Sequence, residues 1–130
     1  ISSSFTNQIV ISPVVPMKFG KVVSYDPPES GSAAIDIQNV LPDTVRVVSA
    51  YHNIPAKGLA NFEKPLDYDV VICGNDDEAK GVVSRLTEEM PSLKAIDAGP
   101  LEISSMIEAI TPLIINMNKK HKHEFSIKFI

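Results

Sequence analysis

The chain has a single cysteine, Cys73, among 130 residues. It cannot form an internal disulfide, which suits a reducing, cytoplasmic setting. Positive charge is in deficit: 12 Lys and Arg face 16 Asp and Glu, a formal net charge of −4. There is no basic field to hold nucleic acid. No apolar run approaches the roughly 20 residues needed to span a membrane. The 6 glycines never fall into G-x-G-x-x-G or G-x-x-x-x-G-K-[ST], so the chain has no recognisable pyrophosphate loop of its own. No secretory leader is expected from its first residues. Ile1-Ser-Ser-Ser-Phe leads almost directly into a strand-like run, and the expectation is of a segment taken from a longer protein.

Hydrophobic residues make up 44% of the chain and charged residues 22%, ordinary for one globular domain with its own core. Residues 8–12 read as a strand, and Pro13 and Pro16 hold the next segment extended. A short strand is expected over Lys21–Tyr25. Ser32 caps a helix to about Val40, with Ala34, Ile37, Val40 and Leu41 on one face and Pro42 as its stop. Val45–Ala50 is the second clear strand, and Ala56–Asn61 reads as a short helix. Asp69–Gly74 is almost wholly apolar and predicts a strand covered on both faces. Asn75, with Glu78 three residues on, suggests the cap of a helix to about Met90.

Lys94–Ala98 gives another strand, and Gly99-Pro100 the turn after it. Ile103, Met106, Ile107, Ile110, Leu113, Ile114 and Met117 keep helical spacing to about Asn118. Pro112 inside that run predicts a kink near Glu108 or Ala109. Phe125, Ile127 and Phe129 alternate with polar neighbours as a last strand. Strands alternating with helices imply an α/β domain with a mainly parallel sheet.

Ser49-Ala50-Tyr51-His52-Asn53-Ile54-Pro55-Ala56 is the most informative stretch. A strand delivers an imidazole, an amide and a proline turn into one loop, the place where α/β sheets bind ligands. His52 is the flat polar group, Ile54 and Pro55 an apolar shelf, and main-chain N–H groups are free from Ala56 onward. Such a surface suits a planar redox ring. The alternative is a histidine that bonds a carbonyl and shapes the turn. General-base work needs an activating partner; Asp67 and Asp69 are the candidates, and sequence does not place them beside His52. Cys73 lies mid-strand and reads as core. His121 and His123 lack the further ligands of a zinc site and read as a solvated tail. Lys119, Lys120, Lys122 and Lys128 either solvate a helix end or attract an anionic ligand tail.

Four stretches in order carry a family likeness: Gln8-Ile-Val-Ile-Ser-Pro-Val-Val-Pro16, Val47-Val-Ser-Ala-Tyr-His-Asn-Ile-Pro-Ala56, Asp69-Val-Val-Ile-Cys-Gly-Asn-Asp-Asp-Glu78, and Asp97-Ala-Gly-Pro-Leu101 with its helix. Together they resemble the NADPH-dependent reductases of the deazaflavin coenzyme F420. The resemblance implies an α/β fold: the end of a Rossmann-like, mainly parallel sheet plus a small C-terminal α/β domain with a long helix. Residues 1–130 would be a single α/β unit matching the family's C-terminal portion, without the N-terminal dinucleotide-binding half. It implies an oxidoreductase whose cofactors are NADP and coenzyme F420, working as a homodimer. His52 and Ile54 would line the hydride-transfer pocket, Pro55 would add to its apolar shelf, and Ala56 N–H would meet the nicotinamide carboxamide. Ser12, Pro13 and Val15 would border the nicotinamide, and Pro112 and Phe125 would pack near the deazaflavin. The reading from a different class is a non-catalytic α/β dimerisation or interaction module.

Overall fold

The computed structural model describes residues 7–53 and 67–130. In chain order the elements are β1 (Ile9–Ser12), β2 (Met17–Lys18), β3 (Ser24–Tyr25), α1 (Ala33–Val40), β4 (Arg46–Ser49), β5 (Tyr68–Gly74), α2 (Asp77–Glu88), β6 (Leu93–Gly99), a 3-10 turn (Leu101–Ile103), α3 (Ser104–Glu108) and α4 (Ile110–His121). The main sheet runs β1-β4-β5-β6, and β2 and β3 form a separate ribbon. β1 lies parallel to β4, Ile9 opposite Arg46 and Ser12 opposite Ser49. β5 lies parallel to β6, Tyr68 opposite Leu93. Between these pairs β4 and β5 run antiparallel through Val48–Gly74 and Ser49–Cys73. The sheet is thus mostly parallel with one antiparallel seam. The seam has a consequence for the site: the segment leaving β4 passes alongside the start of β5, rather than its end.

Alternation along the strands divides the core. Val48, Val70 and Ile72 face α2, packing with Ala79, Val83 and Leu93. Val47 packs with Ala34 of α1 and Leu101, while Val71 and Cys73 pack with Ile107 of α3. The expectation that β5 is covered on both faces holds, with every residue from Asp69 to Gly74 buried. Cys73 is fully buried, and burial pushes its thiol pKa up, as for a core residue.

The helix ends follow their chemistry. Ser32 Oγ accepts the Ile35 N–H at 3.1 Å, as the sequence suggests. At α2 the cap is Asp76 and not Asn75: Asp76 Oδ2 accepts the Ala79 N–H at 2.9 Å. Asn75 is occupied elsewhere, its Oδ1 accepting the Leu101 N–H at 3.0 Å. The expected kink falls at Ala109, which separates α3 from α4. Pro112 lacks the N–H that the Glu108 carbonyl would take, so the helix breaks there. Glu108 is fully buried, and its carboxylate accepts Ala33 N–H (2.9 Å), Ala34 N–H (3.2 Å) and Tyr25 O–H (2.8 Å). It therefore satisfies the first turn of α1 from another helix.

Two expectations are corrected. The short strand over Lys21–Tyr25 is instead the far arm of the antiparallel β2–β3 ribbon, Met17 opposite Tyr25. The ribbon is strapped to α4, since Asn116 Oδ1 accepts Val23 N–H (2.9 Å) and Asn116 Nδ2 donates to Val23 C=O (2.7 Å). Residues 125–129 form no strand. Only the Ile127 carbonyl meets β5's main chain, accepting Asp69 N–H at 3.0 Å, while Phe129 N–H donates to the Asp69 side chain. A carboxylate thus takes the place of the next ladder carbonyl. The helix expected over 56–61 lies outside the described residues.

Candidate functional site

β4 ends in a turn that costs energy and is held from two sides. Tyr51 has φ 68°, the left-handed region, worth about 1–2 kcal/mol against a non-glycine residue. Its hydroxyl lies 2.6 Å from Thr87 Oγ1 of α2. On the other side Thr111 Oγ1 donates to the His52 carbonyl at 2.7 Å. Asn53 Nδ2 then donates to the Asp69 carbonyl at 3.2 Å, next to the antiparallel seam. Three consecutive residues are so anchored to α2, α4 and β5.

The His52 side chain is 6% exposed, and neither ring nitrogen has a hydrogen-bond partner among the described residues. Burial lowers its pKa to about 4, so the ring is neutral at pH 7, with one donor and one acceptor nitrogen. It opens on a cavity of about 140 Å³, the space of four or five waters and room for one planar ring. The β4 loop contributes His52 and Asn53 to the lining. α4 contributes Thr111, Ile114, Ile115 and Asn118, and the C-terminal segment Glu124 and Phe125. That segment is turned back by Lys122 at φ 51°, after which Phe125 N–H donates to Asn118 Oδ1 at 2.8 Å.

Neither carboxylate considered for activating His52 is directed at it. Asp67 is paired with Lys128 at 2.7 Å, and Asp69 holds the Phe129 N–H. His121 and His123 set their rings edge-on against Phe125, with centroids 5.7 and 5.0 Å away. No cluster of three or more His, Cys, Asp or Glu suited to a metal occurs among the described residues.

Of the residues singled out in the sequence, His52 and Phe125 meet in this cavity. Pro112 is buried in the first turn of α4, next to the lining residue Thr111. Ser12 is buried at the end of β1 opposite Ser49, its Oγ without a partner among the described residues, and Pro13 and Val15 come after it, exposed and half-buried. These three are outside the cavity wall. Ile54, Pro55 and Ala56 lie outside the described residues. Thr111, Asn118 and the remote cap Glu108 carry no periodic or motif signal, and only the fold reveals them. A larger polar cleft of about 520 Å³ lies at the opposite end of β4. Its Arg46 guanidinium already pairs with Asp76 (3.1 Å) and Glu78 (3.7 Å).

In this α/β fold a neutral imidazole thus stands beside a ring-sized cavity walled in part by Ile114, Ile115 and Phe125. No family model matches the chain. It is 47% identical over 95 residues to the F420-dependent NADP reductase of Methanocaldococcus jannaschii, covering 73% of this chain and 42% of that protein. The F420-dependent NADP reductase of Methanothermobacter marburgensis is 34% identical over 126 residues, 94% of this chain and 56% of the relative. A solved structure from Arthrobacter sp. FB24, described as a candidate F420-dependent NADP reductase, shares the fold with a TM-score of 0.83 at 21% identity, over 98% of this chain and 60% of that one. The chain is a homologue of the F420-dependent NADP reductases, as the sequence resemblance implied. It spans about half the length of the curated relatives it matches.

Proposed function

We propose that the chain is the C-terminal portion of an oxidoreductase that moves hydride between NADPH and the deazaflavin coenzyme F420, and that the His52 cavity receives the edge of one of the two rings. The observation that carries this reading is the buried, neutral His52 ring, which has no hydrogen-bond partner among the described residues and belongs to the lining of a ring-sized cavity. A buried polar group without a partner is costly, and a ligand carbonyl or N–H would relieve it. When bound, the two cofactors supply both the hydride donor and its acceptor. The protein's part is to hold the rings in contact and exclude water, which needs no charged acid or nucleophile. Ile114 and Phe125 give the wall its apolar character, and Thr111 fixes the main chain of His52. In the same reading Ser12, Pro13 and Val15 border the nicotinamide from the parallel neighbour of β4. Ile54, Pro55 and Ala56 keep the roles the resemblance gives them, and Pro112 backs the pocket near the deazaflavin.

Homodimerisation and a cytoplasmic setting belong to the proposal. Met106 and Leu113 are exposed apolar side chains on the outer surface of α3 and α4 and suit self-association. Among the described residues no helix is long and apolar enough to cross a membrane. The names of the relatives favour the redox reading over a module that only associates.

The test is a titration of oxidised coenzyme F420 into the chain, read by its fluorescence. Saturable binding that weakens in His52→Ala supports the reading, and absence of saturable binding removes it. Turnover with NADPH is expected to be negligible, because the chain lacks a glycine loop for the dinucleotide phosphates.

A further inference from the structure

We infer that Asn53 is a specificity-determining residue, whose Oδ1 reads an N–H on the edge of a planar amide- or imide-bearing ring while His52 reads the adjoining carbonyl. The inference rests on the redox reading above and adds the chemical class of the edge that enters the cavity. Asn53 is 7% exposed and lines the cavity beside His52. Its Nδ2 donates to the Asp69 carbonyl at 3.2 Å, which fixes the orientation of the amide. The other end, Oδ1, is buried and has no partner among the described residues. An amide oxygen can only accept, so what completes it is an N–H or O–H. The neutral His52 ring, from the preceding residue of the same lining, adds one donor.

An acceptor and a donor on adjacent residues match a donor and an acceptor on adjacent ligand atoms. A carboxamide has that pattern, and so does a cyclic imide. The cavity wall is apolar at Ile114 and Phe125, as the faces of such a ring require. Among the described residues the only charged side chain in the lining is the carboxylate of Glu124, which disfavours a phosphate or carboxylate beside it. The edge could come from the nicotinamide carboxamide or from the pyrimidine imide of the deazaflavin, and the two sources are separable.

The experiment is calorimetric titration of the 130-residue chain with two ligand pairs. One pair is oxidised coenzyme F420 and its N3-methyl derivative; the other is NADP and its 3-acetylpyridine analogue, in which methyl replaces the amide NH₂. Loss of the N–H is expected to weaken binding by about tenfold within one pair, and Asn53→Ala to shrink that ratio below about twofold. The responding pair names the source. The Asn53 side-chain amide resonances of the unmutated chain give a second readout that needs no variant: they shift with the N–H ligand and stay put with its methyl counterpart. A chain that binds both members of each pair equally overturns the inference and leaves the redox reading standing. Discrimination that persists in Asn53→Ala removes the role from Asn53. Binding of none of the four ligands removes both readings.

Discussion

The neutral state of buried His52 has a measurable cost at acid pH. In the unfolded chain its imidazole takes a proton near 6.5, whereas in the fold burial holds the pKa down to about 4. Below 6.5 the unfolded state binds a proton that the folded state refuses, so stability falls as pH drops. Above 6.5 the two states match and the full stability is present. At about 1.4 kcal/mol per pH unit, the loss is about 1 kcal/mol by pH 5.5 and about 3 kcal/mol by pH 4. Carboxylates also titrate in this window, so the comparison is with His52→Gln, whose side chain takes up no proton. Urea unfolding of both proteins at pH 7.0, 5.5 and 4.0 isolates the histidine, because all other groups are shared. The stability gap between variant and parent should move in the variant's favour by about 3 kcal/mol across the series. Parallel curves would falsify the claim that His52 is buried and neutral. A ligand that bonds the neutral ring should lower the pKa of His52 further and carry the fall on to lower pH.

Other expectations concern the supports of the cavity. Thr111→Val removes the bond to the His52 carbonyl, costing about 1 kcal/mol in urea unfolding and weakening coenzyme F420 binding without changing its pH dependence. Glu108→Gln sets an amide NH₂ among three donors, and a loss of about 2–3 kcal/mol is expected by the same assay. Tyr25→Phe should cost about 1 kcal/mol at neutral pH. Burial, and then the Glu108 carboxylate, raise the phenol pKa of Tyr25. The parent should therefore lose stability as pH climbs past 10, and the variant's alkaline limb should be flatter.

Much of the fold was legible because short-range rules governed it. Ser32 capped its helix, Pro112 broke the last one, and the apolar run of β5 was covered on both faces. What escaped was decided by partners far away in sequence. Asn75 and Asp76 are equally good caps on paper, and the choice turned on Leu101, 26 residues away, which engaged the asparagine. The alternation of Phe125, Ile127 and Phe129 promised a strand, but the Asp69 carboxylate intercepted the bond a ladder needed. Of the site, His52 announced itself by its place between a strand and a proline. The carboxylates that seemed available to it were committed elsewhere, to Lys128 and to a main-chain N–H. Thr111 and Asn118 look like ordinary helix residues until the helix is laid across the loop.

The pair of hydrogen bonds between Asn116 and Val23 gives α4 a further office. A side-chain amide there counterfeits a peptide unit and supplies the ribbon with the neighbour that two-residue strands lack. Val23 is 2% exposed, so water cannot readily replace either bond. The ribbon and the helix that walls the ring cavity must consequently travel as one piece. Opening that cavity by peeling the ribbon away would therefore mean moving α4 with it.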